Sequence, residues 1–150
     1  MTATRRLVDV AATEAFGAEI GALLGPGDLL SVDGPLGAGK TVLVRGLARG
    51  LGLDPLAVRS PTFMLHHVYG RPPLLHHADL YRLGPGAAVA FLDIDSLLVE
   101  APLAVEWGSL AELSEWRPLR IELDIVGERQ RIADVDPRLA ARLTRTVIAP

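Results

Sequence analysis

Cysteine and asparagine are both absent from this chain, and lysine occurs once, at position 40. Without cysteine there are no disulfides, thiolate metal centres or cysteine nucleophiles. Without asparagine, and with a single lysine, the common N-K-x-D motif that selects guanine cannot be spelled. Positive charge is not in excess: the net charge is −3 and the pI about 5.8. That balance argues against a dedicated nucleic-acid binder, which needs a basic face. No apolar run approaches the ~20 residues of a membrane span, and no charged-then-apolar leader opens the chain. A soluble, cytoplasmic protein with no membrane partner is expected. Its 150 residues, 49% hydrophobic and 22% charged, suit one domain spanning 1–150 with a full core.

Asp28 to Gly52 is the stretch around which the rest is organised. An apolar run, Leu29-Leu30-Ser31-Val32, is short enough for a buried strand. Gly34-Pro35-Leu36-Gly37-Ala38-Gly39-Lys40-Thr41 then fits G-x-x-x-x-G-K-[ST] at every fixed position. Beyond it, Val42, Leu43, Leu47 and Leu51 recur at helical spacing, and Gly50 and Gly52 offer a stop. Strand, glycine-rich turn and helix are the context that makes the pattern a P-loop. Successive backbone N–H groups wrap a polyphosphate only where positive φ is allowed and no Cβ intrudes, hence Gly37 and Gly39. The helix N-terminus aims its free N–H groups at the same phosphates. Lys40 would reach the β and γ oxygens, and the Thr41 hydroxyl would ligate Mg²⁺. The other 14 basic residues are arginines, and a compact ammonium fits between two phosphates where a planar fork does not.

The rest of the chain reads as mixed α/β. Residues 7–10 suggest a first strand, and Thr13 an N-cap for a helix carrying Phe16, Ile20, Leu23 and Leu24. Asp54-Pro55 breaks the P-loop helix. Residues 62–69 and 74–80 look like a hairpin about Gly70–Pro73. Ala87 to Leu98 suggests a helix, Leu103–Val105 a short buried strand, and Ser109–Glu115 a helical stretch. Residues 119–126 and 129–135 suggest a second hairpin, and 138–145 a last helix. The expected fold class is α/β: a P-loop NTPase-like three-layer sandwich, its central sheet mostly parallel with antiparallel hairpins attached.

Two acids end apolar runs, Asp79 and Glu106. Carboxylates at strand C-termini lie beside the P-loop in an open α/β sheet, where each can hold Mg²⁺, directly or through water, or orient a nucleophile. Ser60-Pro61-Thr62-Phe63 is a simple loop turn or a segment in which Thr62 senses a γ-phosphate. Four histidines fall in pairs. With the hairpin closed at 70–73, His67 would face His76 and His66 would face His77. With neither cysteine nor an acid on the first strand, zinc is disfavoured there. His77, Asp79 and Tyr81 share one strand face by alternation.

Four motifs in one order, with these gaps, resemble the TsaE (YjeE) family of bacterial ATPases: Gly-Pro-Leu-Gly-Ala-Gly-Lys-Thr at 34–41, Ser-Pro-Thr-Phe at 60–63, His-Ala-Asp-Leu-Tyr-Arg at 77–82 and Val-Glu-Trp at 105–107. The resemblance spans about residues 13–135. It implies a small P-loop ATPase, using ATP and Mg²⁺, that supports threonylcarbamoyladenosine formation on tRNAs reading codons that begin with A. It also implies TsaD and TsaB as protein partners, with tRNA met only through their complex. By matched motif, Gly34, Pro35, Leu36, Gly37, Ala38, Gly39 and Lys40 would hold phosphates. Thr41 and Glu106 would serve Mg²⁺, and Asp79 would be a second metal-side or water-orienting acid. Thr62 would be the switch residue and Trp107 a neighbour shaping the site. The chain departs from the family pattern at Pro35, usually acidic, at Ala78, usually aromatic, and at Gly108, usually proline. Two other readings compete: a P-loop small-molecule kinase, against which stands the lack of arginine between 84 and 102, and a nucleotide-binding switch that does not hydrolyse.

Overall fold

The computed structural model describes residues 3–60 and 65–148, with side chains to Arg145. In chain order the elements are β1 (Ala3–Leu7), α1 (Val10–Gly21), β2 (Leu29–Asp33), α2 (Lys40–Gly50), β3 (His66–Tyr69), β4 (Leu75–Asp79), α3 (Ile94–Glu100), β5 (Leu103–Glu106), β6 (Leu119–Ile125), β7 (Arg131–Val135) and α4 (Pro137–Ile148). Among the described residues the strands form one seven-stranded sheet in the order β1-β7-β6-β2-β5-β4-β3. Its four central strands, β6, β2, β5 and β4, run parallel, and both edges are antiparallel hairpins or additions. Central β2 is buried from Leu29 to Val32, apolar but for Ser31, because it is covered on both faces.

Alternation along the strands sends Leu30, Val32, Ala104, Leu119, Ile121 and Leu75 to one face, under α1, α2 and Leu139 of α4. Leu29, Leu103, Val105 and Ala78 point to the other, under α3 and several short 3₁₀ turns. This is the expected three-layer α/β arrangement. Fully buried leucines such as Leu30, Leu43 and Leu47 each contribute about 2 kcal/mol by leaving water. No helix among the described residues is long and apolar enough to cross a membrane.

Several boundaries differ from expectation for local physical reasons. The first strand lies earlier, at Ala3–Leu7, and the cap of α1 is Asp9, whose side chain accepts from the Ala12 N–H at 2.7 Å. A carboxylate there also complements the dipole, and Thr13 is left inside the first turn, buried. The stretch 87–98 is not one helix. Asp93, at φ 49°, breaks it into a 3₁₀ turn and α3. The stretch 109–115 likewise forms only the 3₁₀ turns Gly108–Leu110 and Ser114–Trp116. The β3–β4 hairpin exists, but its register is one residue off the expected one. His67 pairs with His77 and His66 with Ala78, because Tyr69 pairs with Leu75 across a longer loop. Gly50 does not serve mainly as a stop. Gly17, Gly21, Gly46 and Gly50 form the seam where α1 and α2 touch, and a Cβ on any of them would strike the backbone of the other helix.

Candidate functional site

The P-loop follows from the end of β2. Gly39 caps α2 at φ 99°, ψ 23°, a left-handed conformation that costs a side-chain-bearing residue strain. Gly34 is needed for space as well, since a Cβ there would lie 2.5 Å from the Leu123 carbonyl. Lys40 opens α2, so its side chain rises over the loop it belongs to. Its Nζ donates to the carbonyls of Gly34 at 2.6 Å and Pro35 at 2.8 Å. From the far side Arg131 of β7 donates to the carbonyls of Gly37 at 3.0 Å and Ala38 at 3.1 Å. Sequence reasoning missed Arg131, which meets the loop only through tertiary structure.

The parallel register brings the two predicted acids together. Asp79 of β4 is the direct partner of Glu106 of β5, and Glu106 in turn pairs with Val32 of β2. All three strands end at the cleft, at the carboxyl edge of the sheet where open α/β folds bind ligands. The cleft encloses about 470 Å³ and is lined by Leu36, Gly37, Gly39, Lys40, Thr41, Val42, Ser60, Asp79, Tyr81, Glu106 and Trp107. Thr41 Oγ1 donates to Glu106, at 2.9 Å from Oε1 and 3.1 Å from Oε2. Asp79 is held differently: Oδ1 accepts from the Tyr81 N–H at 2.9 Å and Oδ2 from Ser60 Oγ at 3.3 Å. His77 does not serve Asp79, despite sharing its strand face. Its Nε2 lies 2.5 Å from Glu106 Oε2. Thr62 lies outside the described residues.

Trp107 stands in the left-handed region at φ 61°. Its ring lies 4.1 Å beneath Lys40 Nζ and 5.0 Å from the Tyr81 ring, so it supports the ammonium rather than merely walling the site. Gly108 follows because any Cβ there would collide with Ser31.

Charge is concentrated and largely dry here. Lys40 and Asp79 are each 6% exposed and Glu106 2%. Burial lowers the pKa of Lys40, against the pull of Glu106, Asp79 and Asp33. Burial raises that of Asp79, with the Tyr81 N–H opposing and Glu106 adding to the rise. Nearby, His66 Nε2 and His76 Nδ1 lie 3.1 Å apart, but among the described residues no three His, Asp or Glu side chains are arranged to hold a metal. A Mg²⁺ site asks for less: a hydroxyl, one or two carboxylates, phosphate oxygens and water. Thr41 and Glu106 fit that requirement. On the opposite side of the P-loop a second hollow of about 110 Å³ is lined by Val10, Thr13, Gly37, Ala38, Gly39, Val42, Arg129 and Arg131.

The sequence model of a family described as "Threonylcarbamoyl adenosine biosynthesis protein TsaE" matches residues 7–133. The chain is 45% identical over 115 residues to the tRNA threonylcarbamoyladenosine biosynthesis protein TsaE of Streptomyces coelicolor, covering 73% of this chain and 76% of that protein. It is 36% identical over 148 residues to the protein of the same name from Mycobacterium tuberculosis, covering 91% of this chain and 84% of that one. Among solved structures it is similar to Bacillus subtilis YdiB, with a TM-score of 0.75 and 27% identity, over 98% of this chain and 97% of that one. With its P-loop, its paired strand-end acids and these relatives, the chain belongs to the TsaE family.

Proposed function

We propose that this chain binds ATP with Mg²⁺ and hydrolyses it while supporting threonylcarbamoyl transfer to adenosine in tRNAs that read codons beginning with A. In this reading it acts on a complex of TsaD and TsaB, and meets tRNA only through them. The observation that carries the nucleotide reading is the Thr41–Glu106 hydrogen bond beside Lys40, with Asp79 in register.

Each residue then has a task. Lys40 exchanges its two carbonyl partners for phosphate oxygens, held upright by Trp107. The free N–H groups at the start of α2 take the remaining phosphate charge. Thr41 and Glu106 would hold Mg²⁺, which when bound neutralises charge on the β and γ oxygens. Asp79, fixed by Tyr81 and Ser60, faces the same cleft and orients the attacking water. Ser60 touches Asp79, and in this reading Thr62, two residues on, senses the γ-phosphate. The acidic net charge of −3 suits protein partners better than direct contact with tRNA phosphates.

Calorimetric titration with ATP, with Mg²⁺ and then with EDTA, tests the site; a pull-down of TsaD and TsaB with and without ATP tests the role. No heat of ATP binding would defeat the first part. Failure to retain either protein under both conditions would defeat the second.

A further inference from the structure

Behind the cleft runs a chain of buried polar side chains that the nucleotide chemistry does not itself require. His77 is fully buried, Glu106 is 2% exposed and Tyr69 8% exposed. His77 sits opposite Ala104 in the β4–β5 register, two residues before Glu106. Its Nε2 meets Glu106 Oε2 at 2.5 Å, and its Nδ1 lies 3.4 Å from the Tyr69 hydroxyl. A carboxylate oxygen only accepts, so Nε2 donates in this contact. The Tyr69 hydroxyl also bridges the backbone of Arg59, accepting from its N–H at 3.3 Å and facing its carbonyl at 3.2 Å. The Tyr69 hydroxyl thus donates to the Arg59 carbonyl and lies within hydrogen-bond reach of His77 Nδ1. Arg59 immediately precedes Ser60, whose hydroxyl reaches Asp79.

We infer that His77 is a positioning residue for the metal-side carboxylate: it holds Oε2 of Glu106, turns Oε1 toward Thr41 and the cation, and through Tyr69 ties that carboxylate to the backbone where the 60–63 segment begins. The inference rests on the reading of Glu106 as a Mg²⁺ ligand. Its physical basis is general: partners behind first ligands set their orientation, and His77 gives Oε2 a second, shorter contact beside the one from Thr41.

The test titrates Mg²⁺ into the full chain saturated with a non-hydrolysable ATP analogue, by calorimetry, and measures analogue affinity separately in EDTA. The variants are His77→Leu, which keeps bulk and removes the donor, His77→Gln, which restores an amide N–H of similar reach, and Tyr69→Phe. His77→Leu is expected to weaken Mg²⁺ binding about 10- to 100-fold, the range for partners behind a metal ligand, with less than about a twofold change in EDTA. His77→Gln should return to within about threefold of wild type, and Tyr69→Phe should fall about fivefold, as for one neutral hydrogen bond. Equal Mg²⁺ affinity in folded His77→Leu, or a Gln variant no better than Leu, overturns the inference alone. Should His77→Leu fail to fold by circular dichroism, an unchanged Mg²⁺ affinity in Tyr69→Phe overturns it. A wild-type chain that binds the analogue without any Mg²⁺ dependence overturns the metal reading itself, and this inference with it.

Discussion

Replacing Gly46 by alanine should loosen both the fold and the site. Gly46 lies in the middle of α2, where alanine is favoured over glycine by about 1 kcal/mol on propensity alone. The added methyl, however, would lie 2.7 Å from Gly17 Cα and 2.9 Å from the Ala18 nitrogen, and nearer still to the Glu14 carbonyl oxygen. All three are backbone atoms of α1, so no side chain can swing aside. Bringing these contacts to ordinary van der Waals distance separates the helices by roughly 1 Å, which forfeits a quarter to a half of the dispersion energy along the seam. Overpacking of this kind costs about 3 kcal/mol, leaving a net loss of about 2 kcal/mol. For a chain of this length that is a fall of about 4–8 °C in Tm. Gly25→Ala is the control, since a Cβ there meets nothing within 4 Å. Thermal melts by circular dichroism read the difference. A second readout is Mg²⁺-dependent ATP affinity, because α2 carries Lys40 and Thr41 and its displacement breaks the 2.9 Å contact from Thr41 to Glu106 on β5. A Gly46→Ala chain that melts at or above wild type would show that propensity wins and refute the seam argument.

Lys40→Ala should lower ATP affinity about 100-fold, the loss of roughly two charge-assisted hydrogen bonds, while far-UV circular dichroism stays unchanged; calorimetry decides. Glu106→Gln should raise the Mg²⁺ concentration needed for ATPase activity, whereas Asp79→Asn should lower turnover more than affinity. If excess Mg²⁺ rescues Asp79→Asn and not Glu106→Gln, the two roles are reversed. Asp136 tests acid stability. Burial works against its charge, but bonds from Arg138 and the Arg120 N–H outweigh burial and hold its carboxyl below the usual range. A lowered folded pKa means stability that is present above the unfolded value and lost as pH falls through the folded one. Asp136 precedes α4 and its Oδ1 accepts from the Arg138 N–H at 2.9 Å, so as a lost helix cap Asp136→Ala should cost about 1 kcal/mol at neutral pH, and its Tm deficit should shrink in acid. A deficit that is constant with pH would count against this.

What could be read from the sequence was whatever local rules control. The P-loop spelling placed β2, α2, Lys40 and Thr41, and the ends of short apolar runs marked Asp79 and Glu106. Both hairpins followed from their turns. The register of the first did not: an extra loop residue between Tyr69 and Leu75 moved every histidine partner by one, and nothing local reveals that. Asp9 won the α1 cap from Thr13 through a carboxylate acceptor one turn earlier, a competition that spacing alone leaves undecided. Asp93 broke an apolar stretch whose composition looked helical, because its left-handed backbone overrides propensity. The seam of Gly17, Gly21 and Gly46 has its reason only in a second helix packed against the first. Arg131 and the partnership of His77 with Glu106 depend on strands far apart in sequence. These long-range contacts complete the site around a core that local pattern had already marked.

The strand order has a consequence for how the chain is made. Leu30 of β2 pairs with Ala104 and with Leu119, 74 and 89 positions later. At about 5–20 residues per second of synthesis, the central strand waits several seconds with both edges open. Its P-loop helix can form early, since helices need only near neighbours, but the acids arrive with β4 and β5. If the chain binds nucleotide as proposed, that ligand gains its carboxylate side only once Glu106 has emerged. Until then an apolar, unpaired strand is the segment most in need of shelter from its neighbours on the polysome.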